Sequence, residues 1–132
     1  MAIRVVAALL FREDRVLACQ RRADALFPLK WEFPGGKVEE GEGDMAALKR
    51  ELREELAIEV QSAAEVLCYT HQYPDWKEVE LIFFRVETYQ GEIENLAFES
   101  LAWVRPDQLE SLDFLAGDKL IVEKLRTQSI DH

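Results

Sequence analysis

The chain has 132 residues, 48% of them hydrophobic and 32% charged, and this length predicts one compact domain over residues 1–132 with enough apolar surface to build its own core. Its 16 Lys and Arg against 26 Asp and Glu give a net charge of −10. That excludes a broad nucleic-acid-binding surface, because duplex affinity rests on cations neutralising phosphates, but it leaves room for a small phosphorylated ligand if clustered carboxylates hold divalent ions.

In chain order, residues 3–11 form a Val-rich apolar run, residues 12–14 break it, and residues 15–21 resume it, which reads as a hairpin or two neighbouring strands. The leading apolar run is too short to span a bilayer and is followed by no cleavage pattern, so a first strand of a cytoplasmic protein is expected. Residues 23–35 hold two prolines and several aromatic or leucine anchors without helical period, predicting a loop into a short strand over residues 31–33. A helix follows, with Asp44 as N-cap and Met45, Leu48, Leu52 and Leu56 as its inward stripe. Residues 65–72 and 79–86 read as strands, Gly91 as a turn and residues 101–104 as a short strand. Pro106 and Asp107 open a polar helical turn. A final helix over 118–126 turns Leu120, Ile121 and Leu125 inward. Cys19 and Cys68 both lie in apolar alternating runs and read as buried free thiols of a reducing compartment.

The charge excess is local, since residues 37–59 carry eight acids and four bases. On a helical wheel Glu51, Glu54 and Glu55 fall beside the apolar stripe within roughly 100°, while Arg50 and Arg53 project to the other side. Glu51 and Glu55 form a like-charge i,i+4 pair that no cation on that face offsets. Three convergent carboxylates bordering a core suit Mg²⁺ or Mn²⁺, hard ions that take oxygen ligands. Upstream, Pro34-Gly35-Gly36 supplies a turn at which backbone approaches a ligand.

Gly36, Glu42, Arg50, Glu51, Leu52, Glu54, Glu55 and Ile58 together resemble the Nudix box, with Ala57 where the family has Gly. Six fixed residues at set spacing arise by chance with a probability on the order of 10⁻⁴. The resemblance implies an α/β/α sandwich with a mixed central sheet and a loop-helix-loop carrying the box. It further implies that Glu51, Glu54 and Glu55 bind metal with the Gly35 carbonyl, that Glu42 and Arg50 pair to orient the loop, and that Glu51 assists deprotonation of an attacking water.

Outside the box, Gln20 to Ala23, Trp31 to Lys37, Tyr73-Pro74-Asp75, the strand at 79–86, Trp103-Val104 and the helix after Asp118 are similar to MutT-type enzymes and their CTP-preferring relatives. The expected activity is that of a nucleoside triphosphate pyrophosphohydrolase, clearing 8-oxo-dGTP or acting on (d)CTP or modified pyrimidines. An ADP-sugar hydrolase and a catalytically silent nucleotide-binding module are the competing expectations. Arg21 or Arg22, with Arg22 preferred, is expected at phosphate oxygens. Phe33 and Tyr73 are expected to offer rings to a base, and Asp118 to read the base edge or cap the last helix. MutT-like chains often carry a further acid six residues before the tryptophan of the last strand; that place is Ala97 here, with Glu99 the nearest substitute. His71 reads as a surface or supporting residue. Expected partners are the nucleotide and a divalent ion, with no nucleic-acid polymer and no membrane, in a monomer or homodimer.

Overall fold

A computed structural model describes residues 2–127. The elements in order are β1 (Ile3–Leu9), β2 (Phe11–Arg12), β3 (Arg15–Gln20), β4 (Trp31–Glu32), β5 (Gly35–Lys37) and α1 (Asp44–Leu56). They continue with β6 (Glu59–Gln72), β7 (Glu78–Gln90), β8 (Ser100–Val104), 3-10 turns at Pro106–Ser111 and Ala116–Asp118, and α2 (Lys119–Arg126).

Two sheets share the chain. The first runs β5-β1-β7-β6, with β1 and β7 parallel and the other pairs antiparallel, so it is mixed as the sequence reading required. In the second, β3 is paired with β2, β4 and β8. The hairpin expected from the first two apolar runs is confined to β2 and β3, because β1 leaves to join the other sheet.

Alternation along β1 sets the layers. Val6 and Ala8 pack with Ala47, Leu48, Leu52 and Leu56 of α1, whereas Ala7 and Leu9 pack with Ile121, Val122 and Leu125 of α2. The two helices therefore cover opposite faces of the first sheet, giving a three-layer α/β/α arrangement.

Several local expectations shift. Gly43, not Asp44, is the N-cap of α1; Asp44 is already helical, where its charge suits the positive end of the helix and receives Arg4 Nη2 at 2.6 Å. Leu120 is 43% exposed, because the stripe that α2 buries is Ile121, Val122 and Leu125. Cys19 is buried and Cys68 is exposed, since β6 lies at the sheet edge and presents Cys68 outward. Strands β6 and β7 run well past the expected 65–72 and 79–86, forming a long hairpin whose tip reaches Tyr73 to Lys77. Among the described residues no helix is long and apolar enough to cross a membrane.

Candidate functional site

The acids of α1 meet the glycines of β5. Gly35 donates its N–H to Glu55 Oε1 at 3.0 Å. At Gly36 a Cβ would sit 2.4 to 2.6 Å from the carboxylate atoms of Glu51, so the absence of a side chain there makes the room that Glu51 occupies. Gly35 is needed for a different reason, because its Cβ would lie 1.9 Å from the Val6 carbonyl oxygen of the neighbouring strand.

Arg50 corrects the wheel reading. Rather than projecting away, its guanidinium donates from Nε and Nη2 to Glu42 at 2.8 and 3.0 Å, and from Nη1 to Glu51 at 2.8 Å and Glu54 at 3.0 Å. A fifth bond, Nη2 to the Lys37 carbonyl at 3.0 Å, ties the loop between β5 and α1 to the helix. This fork matches carboxylate geometry. It holds the Glu42 carboxyl down at about 2, with the Glu39 N–H assisting. The like-charge cost between Glu51 and Glu54 is thus offset by a cation that the wheel placed elsewhere, while that between Glu51 and Glu55 is not.

Deeper in, Glu55 forms no ion pair among the described residues. Burial, then the neighbouring charges of Glu51 and Glu32, push its carboxyl up to about 9. Burial also raises Glu51, against the pull of Arg50. Glu32 is raised by burial in spite of Arg21, whose Nη1 lies 3.1 and 3.2 Å from its oxygens.

Of these acids, Glu55 and Glu32 line a cavity of about 280 Å³. Its lining also includes Gly35, Gly36 and Arg21, the rings of Phe27, Phe33, Tyr73 and Trp76, and Asp118. Asp118 is 5% exposed and accepts the Phe33 N–H; burial, with Glu32 nearby, raises its carboxyl well above the usual range. It stands at the N-cap position of α2 without a side-chain capping bond, and it lines the cavity instead.

The structure thus brings Gly35, Glu55, Phe33, Tyr73 and Asp118 together around one cavity, with Glu51 against Gly36 at its wall. Arg22 stands apart, exposed and 4.0 Å from Asp24, while Arg21 lines the cavity. Ala97 packs on the core beneath α1, and Glu99 is exposed, donating its N–H to the Gln20 carbonyl. His71 lies edge-on to Tyr73 at 4.5 Å with its Nε2 buried and without a hydrogen-bond partner. Sequence reasoning passed over Glu32, Phe27 and Trp76. The available signal was a tryptophan following Pro74-Asp75 in a polar turn, where no core position explains it.

A divalent ion fits the donor chemistry of this site: several carboxylates, partly buried, repelling one another, beside a glycine gap that a Cβ would close. A finished coordination sphere is absent, since no three acidic, His or Cys side chains among the described residues are grouped tightly enough to hold a metal. Glu51 and Glu54 are instead turned onto Arg50.

An acidic helix packed against a glycine strand inside a mixed α/β/α sandwich, opening on an aromatic cavity, defines a phosphate-handling hydrolase. The chain belongs to the Nudix family: the model of the NUDIX domain matches residues 1–125. It is 35% identical over 121 residues to the CTP pyrophosphohydrolase of Escherichia coli (strain K12), covering 92% of this chain and 89% of that one. With the 8-oxo-dGTP diphosphatase of the same organism it shares 32% identity over 113 residues, 86% of this chain and 87% of that one. The solution structure of the E. coli ORF135 protein superposes with a TM-score of 0.84 at 30% identity, covering 97% of this chain and 91% of that one. The protein is accordingly an enzyme of the Nudix hydrolase class, a class that generally works with divalent ions.

Proposed function

We propose that this enzyme is a Mg²⁺- or Mn²⁺-dependent nucleoside triphosphate pyrophosphohydrolase that converts a (d)NTP and water to (d)NMP and pyrophosphate, sanitising 8-oxo-dGTP or a related nucleotide. The observation that carries this reading is the one cavity that Gly35, Gly36 and Glu55 share with aromatic rings and the buried carboxyl of Asp118. Such a cavity suits a ligand with a polyphosphate at one end and a base at the other.

In the proposed reaction a water oxygen bonds to the β-phosphorus and the bond from that phosphorus to the α–β bridging oxygen breaks. Glu51, Glu54 and Glu55 would hold the ion with the Gly35 carbonyl, and the ion when bound supplies charge neutralisation for the phosphates and a more acidic water. Glu51 accepts the proton released by the attacking water. Arg50 and Glu42 fix the loop and the acids in place, and Asp118 reads the base edge.

A second reading, (d)CTP or a modified pyrimidine as substrate, is favoured by the likeness to the CTP pyrophosphohydrolase and by Asp118, whose carboxyl oxygen would accept from an exocyclic amine. The test is a kcat/KM panel over canonical and oxidised NTPs and dNTPs in ¹⁸O-water. Label in pyrophosphate, with Glu51→Gln lowering turnover at least about 10²-fold in a folded protein, is the expected result. No monophosphate from any triphosphate, or wild-type turnover in Glu51→Gln, refutes it.

A further inference from the structure

An aspartate at the N-cap of a helix ordinarily turns its carboxyl onto the N–H two or three residues along. Asp118 does not. Its backbone sits at φ −93° and ψ 0°, outside the extended conformation from which that bond is made, and its carboxyl accepts the Phe33 N–H instead. The first turn of α2 still has N–H groups to satisfy, and buried donors are rarely left without an acceptor.

Tyr69 supplies one. Its hydroxyl donates to the Gly117 carbonyl at 2.6 Å, and the Ile121 N–H, which Asp118 would otherwise cap, reaches the same oxygen. Burial and the nearby Asp118 push the phenol up, so it keeps the proton that this donation requires. Tyr73, four residues along β6 on the same face, accepts the Gly117 N–H at 3.1 Å. Gly117 is thus held by both of its backbone polar groups. The fit is close, because a Cβ there would lie 2.4 Å from the Tyr73 hydroxyl and 3.3 Å from Leu81.

The core fixes Tyr69 in turn. Its ring is stacked on that of the fully buried Phe83, with centroids 5.7 Å apart and planes 21° from parallel, and it stands opposite Leu81 in the ladder between β6 and β7. Tyr69 does not line the cavity. Any effect it has on a bound ligand therefore passes through Gly117 and the start of α2.

We propose, building on the role assigned to Asp118 above, that Tyr69 is a positioning residue for base selection: by capping α2 and gripping Gly117 in its place, it leaves the Asp118 carboxyl free to address the base. Without this hydroxyl the natural acceptor for the Ile121 N–H is Asp118 itself, three residues earlier in the chain. Its carboxyl then exchanges the Phe33 N–H for the helix and turns from the base. Selection among bases falls, while the phosphate chemistry is kept, because Glu51, Glu54 and Glu55 belong to α1 on the other face of the sheet.

The test is Tyr69→Phe, which removes the hydroxyl and keeps the ring on Phe83. Values of kcat and KM are measured for dGTP, 8-oxo-dGTP, dCTP and dTTP in the wild type, Tyr69→Phe, Asp118→Ala and the double variant, and dGMP and dCMP binding by calorimetry. In Tyr69→Phe the ratio of kcat/KM between the best and worst base is expected to fall about tenfold, through a higher KM for the best with kcat kept. Adding Tyr69→Phe to Asp118→Ala is expected to lower that ratio no further, as befits a residue acting through another. An unchanged ratio in Tyr69→Phe beside a lowered one in Asp118→Ala overturns the proposal. So does an equal fall with and without Asp118, which marks general loosening of α2. An unchanged ratio in Asp118→Ala refutes the role of Asp118 itself and the proposal with it. If the wild type hydrolyses no triphosphate, the proposed reaction is refuted, and a preference between dGMP and dCMP that is lost in Tyr69→Phe upholds the positioning role.

Discussion

Replacing Gly36 by Ala separates the role of the strand from the role of the acid it shelters. The new Cβ would be built 2.4 Å from the Glu51 carboxyl carbon, whereas ordinary contact lies at 3.4–4 Å, so the carboxylate must retreat by about 1 Å. The atoms in the way are the far end of a side chain, and Gly36 has no positive φ, so the backbone pairing with Val6 survives. Stability is expected to change by less than about 1 kcal/mol, a shift in Tm within roughly 3–6 °C. Displacing a reacting group by about 1 Å costs on the order of 10²-fold in rate. Thermal denaturation together with kcat as a function of Mg²⁺ concentration is the assay, and a higher half-saturating concentration is expected alongside the lower rate. Gly35→Ala is the contrasting control: its Cβ would strike the Val6 carbonyl oxygen at 1.9 Å and Ala7 Cα at 2.8 Å, forcing β5 from β1 at a cost above about 3 kcal/mol. A folded Gly36→Ala protein with wild-type kcat and wild-type Mg²⁺ dependence would refute the placement of Glu51.

Two further tests concern stability. Asp118 has a raised carboxyl pKa in the folded state, so its contribution is fully present below its unfolded value and is lost as pH rises through the folded one. Asp118→Asn, which keeps an acceptor for the Phe33 N–H, is expected to raise Tm at pH 8 by about 3 °C and to change it less at pH 4; equal shifts at the two pH values contradict the assignment. Ala57 closes α1 at φ 60° and ψ 31°, a left-handed conformation that glycine adopts freely. Ala57→Gly should add about 1 kcal/mol to unfolding in urea with kcat unchanged; no gain would mean that the cap is unstrained.

How far the sequence could be read depends on the range of the interaction involved. The stripe of Leu48, Leu52 and Leu56, the acids beside it and the glycine pair all follow from spacing within a few turns, and the structure places them together. Arg50 did not follow, because a wheel records where a Cβ points, whereas a long guanidinium side chain reaches back over its own helix to Glu42, Glu51 and Glu54. The cavity's far wall was less legible still. Phe27, Trp76 and Asp118 come from three separated segments, and the parallel register of β1 with β7 and the docking of α2 are what bring them to one place. Trp31 to Lys37 was readable as a loop and short strand, but no local rule indicates that Glu32 sits beside Arg21 within reach of the field of Glu55.

The long hairpin has a further consequence for the behaviour of the protein in solution. Strand β6 is 14 residues long and lies at the sheet edge, with β7 its neighbour among the described residues. An uninterrupted edge of that length would offer a comb of unpaired amides and carbonyls to any other extended chain, which is how sheet proteins aggregate. The register breaks between Val60 and Ser62, Ser62 and Ala63, and Glu65 and Leu67 interrupt that comb and increase the local twist. The same irregular strand that lifts Tyr73 and Trp76 over the cavity therefore also resists growth of the sheet beyond its own chain.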